Sequence, residues 1–214
     1  TEVRIDTPGR VIPILEEELA DFSTEATEFL ASNRDELAFT KFRLRQGVYG
    51  QRQADMQMIR VKLPFGGVTS EQLDAFGEVT ERFVPLRKGH ITTRENIQLH
   101  HVPLADSLEL LQILGRAGLS TREACGNTVR NVTGDPWSGI RDDEPFDVTP
   151  YAQALTKFLL GHPDCQDFGR KFKIAFSGCR HEACGLVYMH DMGALAVTRT
   201  VDGVETPGFE LYVG

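Results

Sequence analysis

The feature that most constrains the fold is a repeated change in hydrophobic spacing over residues 56–118. The segment MQMIRVKLPF alternates apolar and polar residues, which is typical of a strand with one buried face. A Gly-Gly pair and a capping-box pattern from Thr69 to Gln72 then predict the start of an amphipathic helix. HITTRENIQLHHV predicts two short strands around a turn, and Leu104–Ala117 predicts a second helix. The order strand, helix, strand, strand, helix predicts an α+β unit of the ferredoxin-like type.

The rest of the chain predicts further helices and strands on both sides of this unit. Residues 13–33 carry an imperfect apolar stripe and predict a helix, whereas the basic segment FRLRQGVYGQRQ predicts an extended or looped stretch. Beyond Ser120, Pro150–Leu160 predicts a short helix, RKFKIAF a strand, and ALAVTRTVDGVETPGFELYVG a hairpin that turns at Asp202-Gly203. We expect a second region to begin near Ser120.

Charge and hydropathy exclude several function classes. The net charge of −8 argues against general nucleic-acid binding, which needs a basic surface. No apolar run approaches the ~20 residues that a membrane helix requires. The first residues, TEVRIDTPGR, have neither the basic start nor the apolar core of a signal peptide. We therefore expect a cytoplasmic protein that binds neither nucleic acid nor a membrane.

Five cations stand in contexts that point to an anion site. Arg60 lies among apolar residues of a predicted strand, Arg94 in a tight turn and Arg130 among small polar residues, while Lys171 and Lys173 share one face of RKFKIAF. Burying a lone cation is costly, so cations on core strands are usually paired or serve a ligand. Arginine binds oxyanions in a planar, bidentate manner, and lysine acts as a point charge and proton donor. For each cation taken singly, an ordinary solvated or salt-bridged position is the alternative.

Cysteine and histidine give weaker signals. The four cysteines, Cys125, Cys165, Cys179 and Cys184, are too scattered for a disulfide scaffold. Cys179 and Cys184 lie close together in the sequence, but no second pair completes a metal site, so reduced thiols packed near a turn are the favoured interpretation and a ligand pair is the alternative. The His100-His101 pair is typical of strand-end packing, because neighbours on a strand point to opposite faces. We assign no metal ligand.

Six segments in order carry a resemblance to a known family. YGQRQ, IRVKLPFGG, TTRENIQLHHV, GNTVRNV, RKFKIAFSG and GFELYVG resemble the sirohaem-containing sulfite and nitrite reductases, over Phe42–Gly214. The resemblance implies a ferredoxin-like half domain over 42–119, part of a sirohaem-site α+β domain over 120–214, and a helical extension before them. Members of this family contain two related halves, and this sequence resembles the first. We expect it to be a piece of a longer protein, with the ligands of a 4Fe–4S cluster in the other half.

The resemblance also implies roles for individual residues. Arg60, Arg130, Lys171 and Lys173 match the residues that surround the substrate and assist proton delivery. Contacts to sirohaem are implied for six residues: His90, Thr92, Thr93, Arg94, Gln98 and Arg170. His90 departs from the arginine that some members have at this position.

The implied reaction is the six-electron reduction of sulfite to sulfide, with ferredoxin or a flavoprotein as electron donor. Lys173 favours sulfite, because an additional cation suits a dianion better than nitrite. A nitrite reductase and a non-catalytic binding module are the alternatives.

Overall fold

The computed structural model describes residues 16–181 and 185–214, in which two sheets each have an apolar core. The elements of the first part are α1 (Glu16–Leu30), α2 (Glu36–Arg45), β1 (Val48–Gly50), β2 (Met56–Val61), α3 (Ser70–Phe83), β3 (Gly89–Ile91), β4 (Ile97–Pro103) and α4 (Leu104–Arg116). Those of the second part are α5 (Thr149–Leu159), β5 (Ile174–Ser177), β6 (Met192–Val201) and β7 (Val204–Val213). Within the described ranges, no helix is both long and apolar enough to cross a membrane. The α+β class is as predicted.

The first sheet is antiparallel, with strand order β1-β2-β4-β3. Its inner face is apolar because Ile59, Val61 and Leu99 are fully buried in the same cluster as residues of α3 and α4. The predicted capping box is present at the start of α3: Thr69 Oγ1 accepts from the amide of Gln72 over 3.3 Å, and Gln72 Oε1 accepts from the amide of Thr69 over 3.0 Å. This sheet and its two helices form the predicted ferredoxin-like unit.

The second sheet consists of β5, β6 and β7, with β5 parallel to β6 and β6 antiparallel to β7. The predicted hairpin at Asp202-Gly203 is confirmed. These two residues have φ values of 52° and 81°, and two successive positive φ angles are those of a type I′ hairpin turn. Ile174, Phe176 and Ala194 are buried in the second core, which also includes Ala152 of α5.

The second N-terminal helix, α2, was not predicted as a helix in its last turn. Asp35 caps α2 by accepting from the amide of Ala38 over 2.9 Å, and Phe39 stacks on Phe29 of α1 with ring centroids 4.3 Å apart. The prediction of an extended or looped FRLRQGVYGQRQ is therefore wrong for its first residues, since α2 continues to Arg45 before β1 begins. Residues 13–15 of the predicted first helix lie outside the described ranges. The predicted boundary at residue 41 falls inside α2.

The strand predicted over RKFKIAF begins only at Ile174. Before it, only the carbonyl of Lys173 bonds to β6, by accepting from the amide of Met192 over 3.1 Å, and the other backbone bonds go elsewhere. The carbonyl of Phe172 accepts from the amide of Arg130 over 2.8 Å, and the amide of Lys173 donates to Asp191 Oδ2 over 2.8 Å. The basic half of the segment is thus an approach to β5 and not part of the sheet ladder.

Residues 128–134 form a segment that bonds to both units, and we call it the junction segment. Towards the first unit, the amide of Phe65 donates to the carbonyl of Val132 over 2.9 Å. Towards the second, the amide of Thr133 donates to the carbonyl of Ile174 over 3.1 Å. The side-chain amide of Asn131 donates to the carbonyl of Leu63 over 2.7 Å. Bonding on both sides fixes the position of the backbone that carries Arg130 and Asn131.

Candidate functional site

Arg60 is held in place across the first sheet by Gln98. The two residues are paired in register on β2 and β4. In the amide orientation that satisfies both ends of Gln98, its oxygen lies 2.8 Å from Nη2 and 2.9 Å from Nε of Arg60. Nη1 of Arg60 donates to the carbonyl of Ala124 over 3.1 Å. These bonds fix the plane of the guanidinium, which is a requirement for bidentate anion recognition.

Arg130 is a buried cation on the junction segment. Its side chain is 8% exposed, and Nη1 donates to the same carbonyl of Ala124 that Arg60 uses. Burial lowers the pKa of Arg130, the Cys125 thiol opposes that change, and the neighbouring Arg60 and Arg94 add to it. Its charge is therefore under-compensated, and an anion brought close to it would be bound favourably.

Arg94 lies in the turn between β3 and β4. The Thr92 hydroxyl oxygen accepts from the amides of Arg94 and Asn96, each over 3.2 Å, and closes the turn. Arg94 Nη2 donates to His190 Nε2 over 2.8 Å, so His190 carries its proton on Nδ1 and donates it to the carbonyl of Leu186 over 2.7 Å. Burial lowers the pKa of Arg94, with Glu95 and Asp191 opposing.

Lys171 and Lys173 lie on the segment that leads into β5. Lys171 is exposed and acts electrostatically on Cys125, as Arg60 and Arg130 do, and all three lower the pKa of that thiol against the larger, opposite effect of burial. Lys173 is half-buried and lowers the pKa of His190, for which burial is again the largest cause. Lys171 thus belongs with the Arg60–Arg130 pair, and Lys173 belongs with Arg94 and His190.

The structure therefore brings the five cations into one region, which we call the cation cluster. The members of the cation cluster are Arg60, Arg94, Arg130, Lys171 and Lys173. Four further predicted contact residues lie around it: His90 pairs in register with Gln98, Thr92 closes the turn, and Thr93 and Arg170 are exposed. Their implied contacts to sirohaem, and the implied catalytic roles of the cations, stay predictions.

The donor chemistry of the cation cluster fits a cofactor with many carboxylates. Of the three buried guanidinium nitrogens without a hydrogen-bond partner among the described residues, two belong to the cation cluster, Nη1 of Arg94 and Nε of Arg130. Unpaired buried donors are rare in folded proteins and are expected where a ligand supplies the acceptor. Both nitrogens belong to permanent cations, so the matching group is an anion.

The described residues offer no ligand set for an iron–sulfur cluster. Across residues 16–181 and 185–214, no group of three or more His, Cys, Asp or Glu side chains is arranged to hold a metal ion. Cys125, Cys165 and Cys179 are buried, while Cys184 lies outside the described residues. The proposed reaction therefore includes no step through a cluster held by these side chains.

Several residues of this region were missed by sequence reasoning. His190 had no evident partner in the sequence, yet it bonds to Arg94 from 96 residues away. Cys125 looked like an ordinary thiol, but it lies against three of the cations. Glu95 accepts from the amide of Gly134 over 3.1 Å and so ties the turn to the junction segment. Only the tertiary fold creates these contacts, and no local pattern signals them.

The fold and the site define a class: an α+β protein in which a ferredoxin-like unit and a second sheet present a shared cationic site for an anionic ligand. Two family models match the chain in that order. The "Nitrite/Sulfite reductase ferredoxin-like half domain" matches residues 49–117, and the "Nitrite and sulphite reductase 4Fe-4S domain" matches residues 125–214. The chain belongs to the nitrite and sulfite reductase family. These matches support sirohaem and a 4Fe–4S cluster as the family's cofactors.

Relatives in both substrate groups are similar to this chain. It is 31% identical over 209 residues to the assimilatory ferredoxin-dependent nitrite reductase of Haloferax mediterranei, covering 92% of this chain and 35% of that protein. It is 31% identical over 157 residues to the ferredoxin sulfite reductase of Mycobacterium tuberculosis, covering 73% and 27%. The solved NirA protein of M. tuberculosis superposes with a TM-score of 0.76 at 26% identity, over 92% of this chain and 38% of that one. The chain spans about a third of the length of these relatives.

Proposed function

We propose that this chain forms the oxyanion-binding side of a sirohaem-dependent reductase that converts sulfite to sulfide. The carrying observation is the pair of unpartnered donors, Arg94 Nη1 and Arg130 Nε, inside the cation cluster. A buried cation without an acceptor is costly, and an oxyanion or a cofactor carboxylate supplies the missing acceptor. The relationship to sulfite and nitrite reductases supports the reaction class.

Each residue type has a task in such a reaction. Arg60, fixed by Gln98, and Arg130, fixed by the junction segment, would hold the anion and stabilise negative charge as it develops. Lys171 and Lys173 would donate protons, because each oxygen that leaves the substrate must depart as water. Arg94 would hold the sirohaem carboxylates together with His90, Thr92, Thr93, Gln98 and Arg170. When bound, sirohaem would supply the redox chemistry that these side chains lack.

Lys173 supports sulfite as the substrate. It lies beside His190 and Arg94, and a further cation stabilises a dianion more than the single charge of nitrite. Changing Lys173→Asn in the cofactor-loaded protein should lower kcat/KM for sulfite more than kcat/KM for nitrite. Lys41→Asn, at an exposed position on α2, is the matched control and should alter neither. Equal losses for both substrates would reject sulfite selectivity through Lys173.

Nitrite is the second candidate, and the similarity to the Haloferax nitrite reductase over 92% of this chain favours it. The same pair of substrates decides between the candidates, because a nitrite reductase should retain nitrite turnover in the Lys173→Asn variant and show little sulfite turnover before the change.

Arg130→Ala tests the site as a whole. Loss of one positioned donor to a developing oxyanion typically costs about 10²–10³-fold in turnover. Arg82→Ala on α3 is the control, because Arg82 is an exposed cation that pairs with Glu78 and Glu109 away from the site. Full turnover in Arg130→Ala would refute the role of Arg130, whereas a parent protein that shows no turnover with either substrate would instead indicate a non-catalytic binding module.

We further propose a cytoplasmic setting, ferredoxin as the electron donor and the three regions 1–41, 42–119 and 120–214 as the domains. The Haloferax nitrite reductase and the Mycobacterium sulfite reductase both carry ferredoxin in their names, which supports ferredoxin over a flavoprotein. Reduced ferredoxin and a reduced flavoprotein should be compared as donors to the loaded protein. Turnover with the flavoprotein alone would overturn the choice of ferredoxin.

A further inference from the structure

Gln98 is the middle member of a hydrogen-bonded chain that links Arg60 to His100. A guanidinium can only donate, so the amide oxygen of Gln98 must face Arg60, where it lies 2.8 Å from Nη2 and 2.9 Å from Nε. The amide nitrogen then faces Nε2 of His100 over 3.2 Å. That nitrogen of Gln98 can only donate, so His100 Nε2 must be the acceptor and must carry no proton.

A bulge in β4 accounts for the position of His100. Gln57 pairs with Val102 and Ile59 pairs with Leu99, so the β4 strand has one residue more than β2 between these pairs. His101, within the bulge, has a φ of 59°. The bulge explains why the rings of His100 and His101 lie with centroids only 6.4 Å apart, whereas strand alternation would separate them.

The surroundings of His100 favour its neutral form. Burial is the largest cause that lowers the pKa of His100. The titratable groups that act on it are His90 on β3, His101 on β4 and Arg60 on β2, and each lowers its pKa further. The ring of His90 is the nearest of the aromatic partners, with centroids 6.0 Å apart.

We propose that His100 is a positioning residue for Arg60 and acts through the amide of Gln98. Neutral His100 accepts from the amide nitrogen and keeps the amide oxygen on Arg60. Protonated His100 must donate, so it draws the amide oxygen to itself and turns the amide nitrogen towards Arg60. Two donors then face each other, and Arg60 is released from Gln98. The consequence for oxyanion binding rests on the proposed function, but the coupling of the three side chains does not.

NMR of the labelled protein tests the coupling directly. Between pH 5 and pH 8, the imidazole signals of His100 should titrate with a midpoint below its ordinary 6.5. The Nε–Hε signal of Arg60 and the side-chain amide signals of Gln98 should move with the same midpoint. An Arg60 signal that stays constant while His100 titrates would overturn the proposal.

Two substitutions of His100 should hold the Arg60–Gln98–His100 hydrogen bonds in their neutral-histidine and protonated-histidine arrangements. In His100→Gln, a neutral amide can accept from Gln98 at every pH, so the Arg60 transition should vanish with Arg60 still bound. In His100→Lys, a permanent donor should hold the Gln98 oxygen, so the Arg60 signal should resemble the acid form throughout. His162→Gln, next to the end of α5, is the matched control and should leave the transition unchanged. A transition that persists in His100→Gln would refute the role of His100.

Sulfate, whose charge is constant over this pH range, probes the effect on anion binding. His100→Lys should bind sulfate at least about fivefold more weakly than His100→Gln at pH 7, a coupling of ordinary size. Equal affinities would overturn positioning as the role of His100. Failure of the parent protein to bind sulfate or sulfite would count against the proposed oxyanion site, whereas the NMR midpoints would still decide the coupling.

Discussion

Glu95 offers the sharpest test of the electrostatics beside the cation cluster. Burial raises its pKa from 4.5 to about 7, and the nearby Asp135 adds to this, while the amide of Gly134 and the charge of Arg94 oppose it. In the folded protein Glu95 therefore keeps its proton up to about pH 7, whereas in the unfolded chain it loses the proton near pH 4.5.

The sign of the pH dependence follows from proton linkage. Between pH 4.5 and about pH 7 the folded state binds more protons at Glu95 than the unfolded state does, so the free energy of unfolding falls as the pH rises. The contribution of Glu95 to stability is fully present below pH 4.5, its pKa in the unfolded chain. It is lost as the pH rises through about 7, its pKa in the folded protein. At 1.36 kcal/mol for each pH unit, this difference amounts to about 3 kcal/mol.

Glu95→Gln should remove this dependence. Glutamine has the shape of the protonated side chain and can still accept from the amide of Gly134, which lies 3.1 Å from the carboxylate oxygen. The variant should match the parent at pH 4 and exceed its free energy of unfolding by about 3 kcal/mol at pH 8. Urea unfolding, followed by circular dichroism at several pH values, measures the difference.

The control is Glu109→Gln, at an exposed carboxylate on α4 that pairs with Arg82. Because the pair is exposed, its loss should change the free energy of unfolding little at any of these pH values. A difference between Glu95→Gln and the parent that is the same at pH 4 and pH 8 would show that the proton is not on Glu95, and the reasoning from burial would fail.

Three further substitutions test the packing that supports the site, each by urea unfolding at pH 7. Lys62→Met should cost up to about 3–5 kcal/mol, because it removes the cation 3.8 Å from buried Glu123 and leaves only Arg122, at 4.0 Å, as a counter-ion. Adding Glu123→Gln should recover most of that loss, and no recovery would show that charge is not the cause. Gly134→Ala should cost about 1–3 kcal/mol, because its Cβ would lie 2.7 Å from Cβ of Phe65, and an unchanged stability would mean that the junction segment can move away. Thr69→Ala should cost about 1 kcal/mol by removing half of the capping box, whereas Thr69→Ser should restore it.

The fold was predictable where its signals are local. The capping box at Thr69, the hairpin at Asp202-Gly203 and the strand of β2 are each encoded within a few neighbouring residues, and the structure has all three. The last turn of α2 was predicted wrongly as a loop because the helix depends on a tertiary contact and not on a local signal. Phe39 is fully buried against Phe29, and this tertiary contact stabilises a helix whose own sequence has no clear amphipathic face.

The cation cluster was predictable as a set of residues but not as an arrangement. The chemistry of Arg60, Arg94 and Arg130 suggests an anion from the sequence alone. Which cation lies next to which depends on the junction segment, whose bonds join residues far apart in the chain. His100 shows the limit most clearly, because strand alternation predicted opposite faces for His100 and His101, and a bulge of one residue overrides that rule.

The chain has a net charge of −8, so nearby carboxylates could neutralise the cation cluster. The bonds that the local carboxylates make explain why they do not pair with Arg94. Asp191 accepts from the amide of Lys173 over 2.8 Å, and Glu95 accepts from the amide of Gly134 over 3.1 Å. Both carboxylates thus bond to backbone N–H groups and raise the pKa of Arg94 only through space. The Nη1 atom of Arg94 consequently keeps no acceptor among the described residues. Because these two acids bond to the backbone, the guanidinium of Arg94 remains available to an external anion, and the strength of that binding should follow the protonation of Glu95.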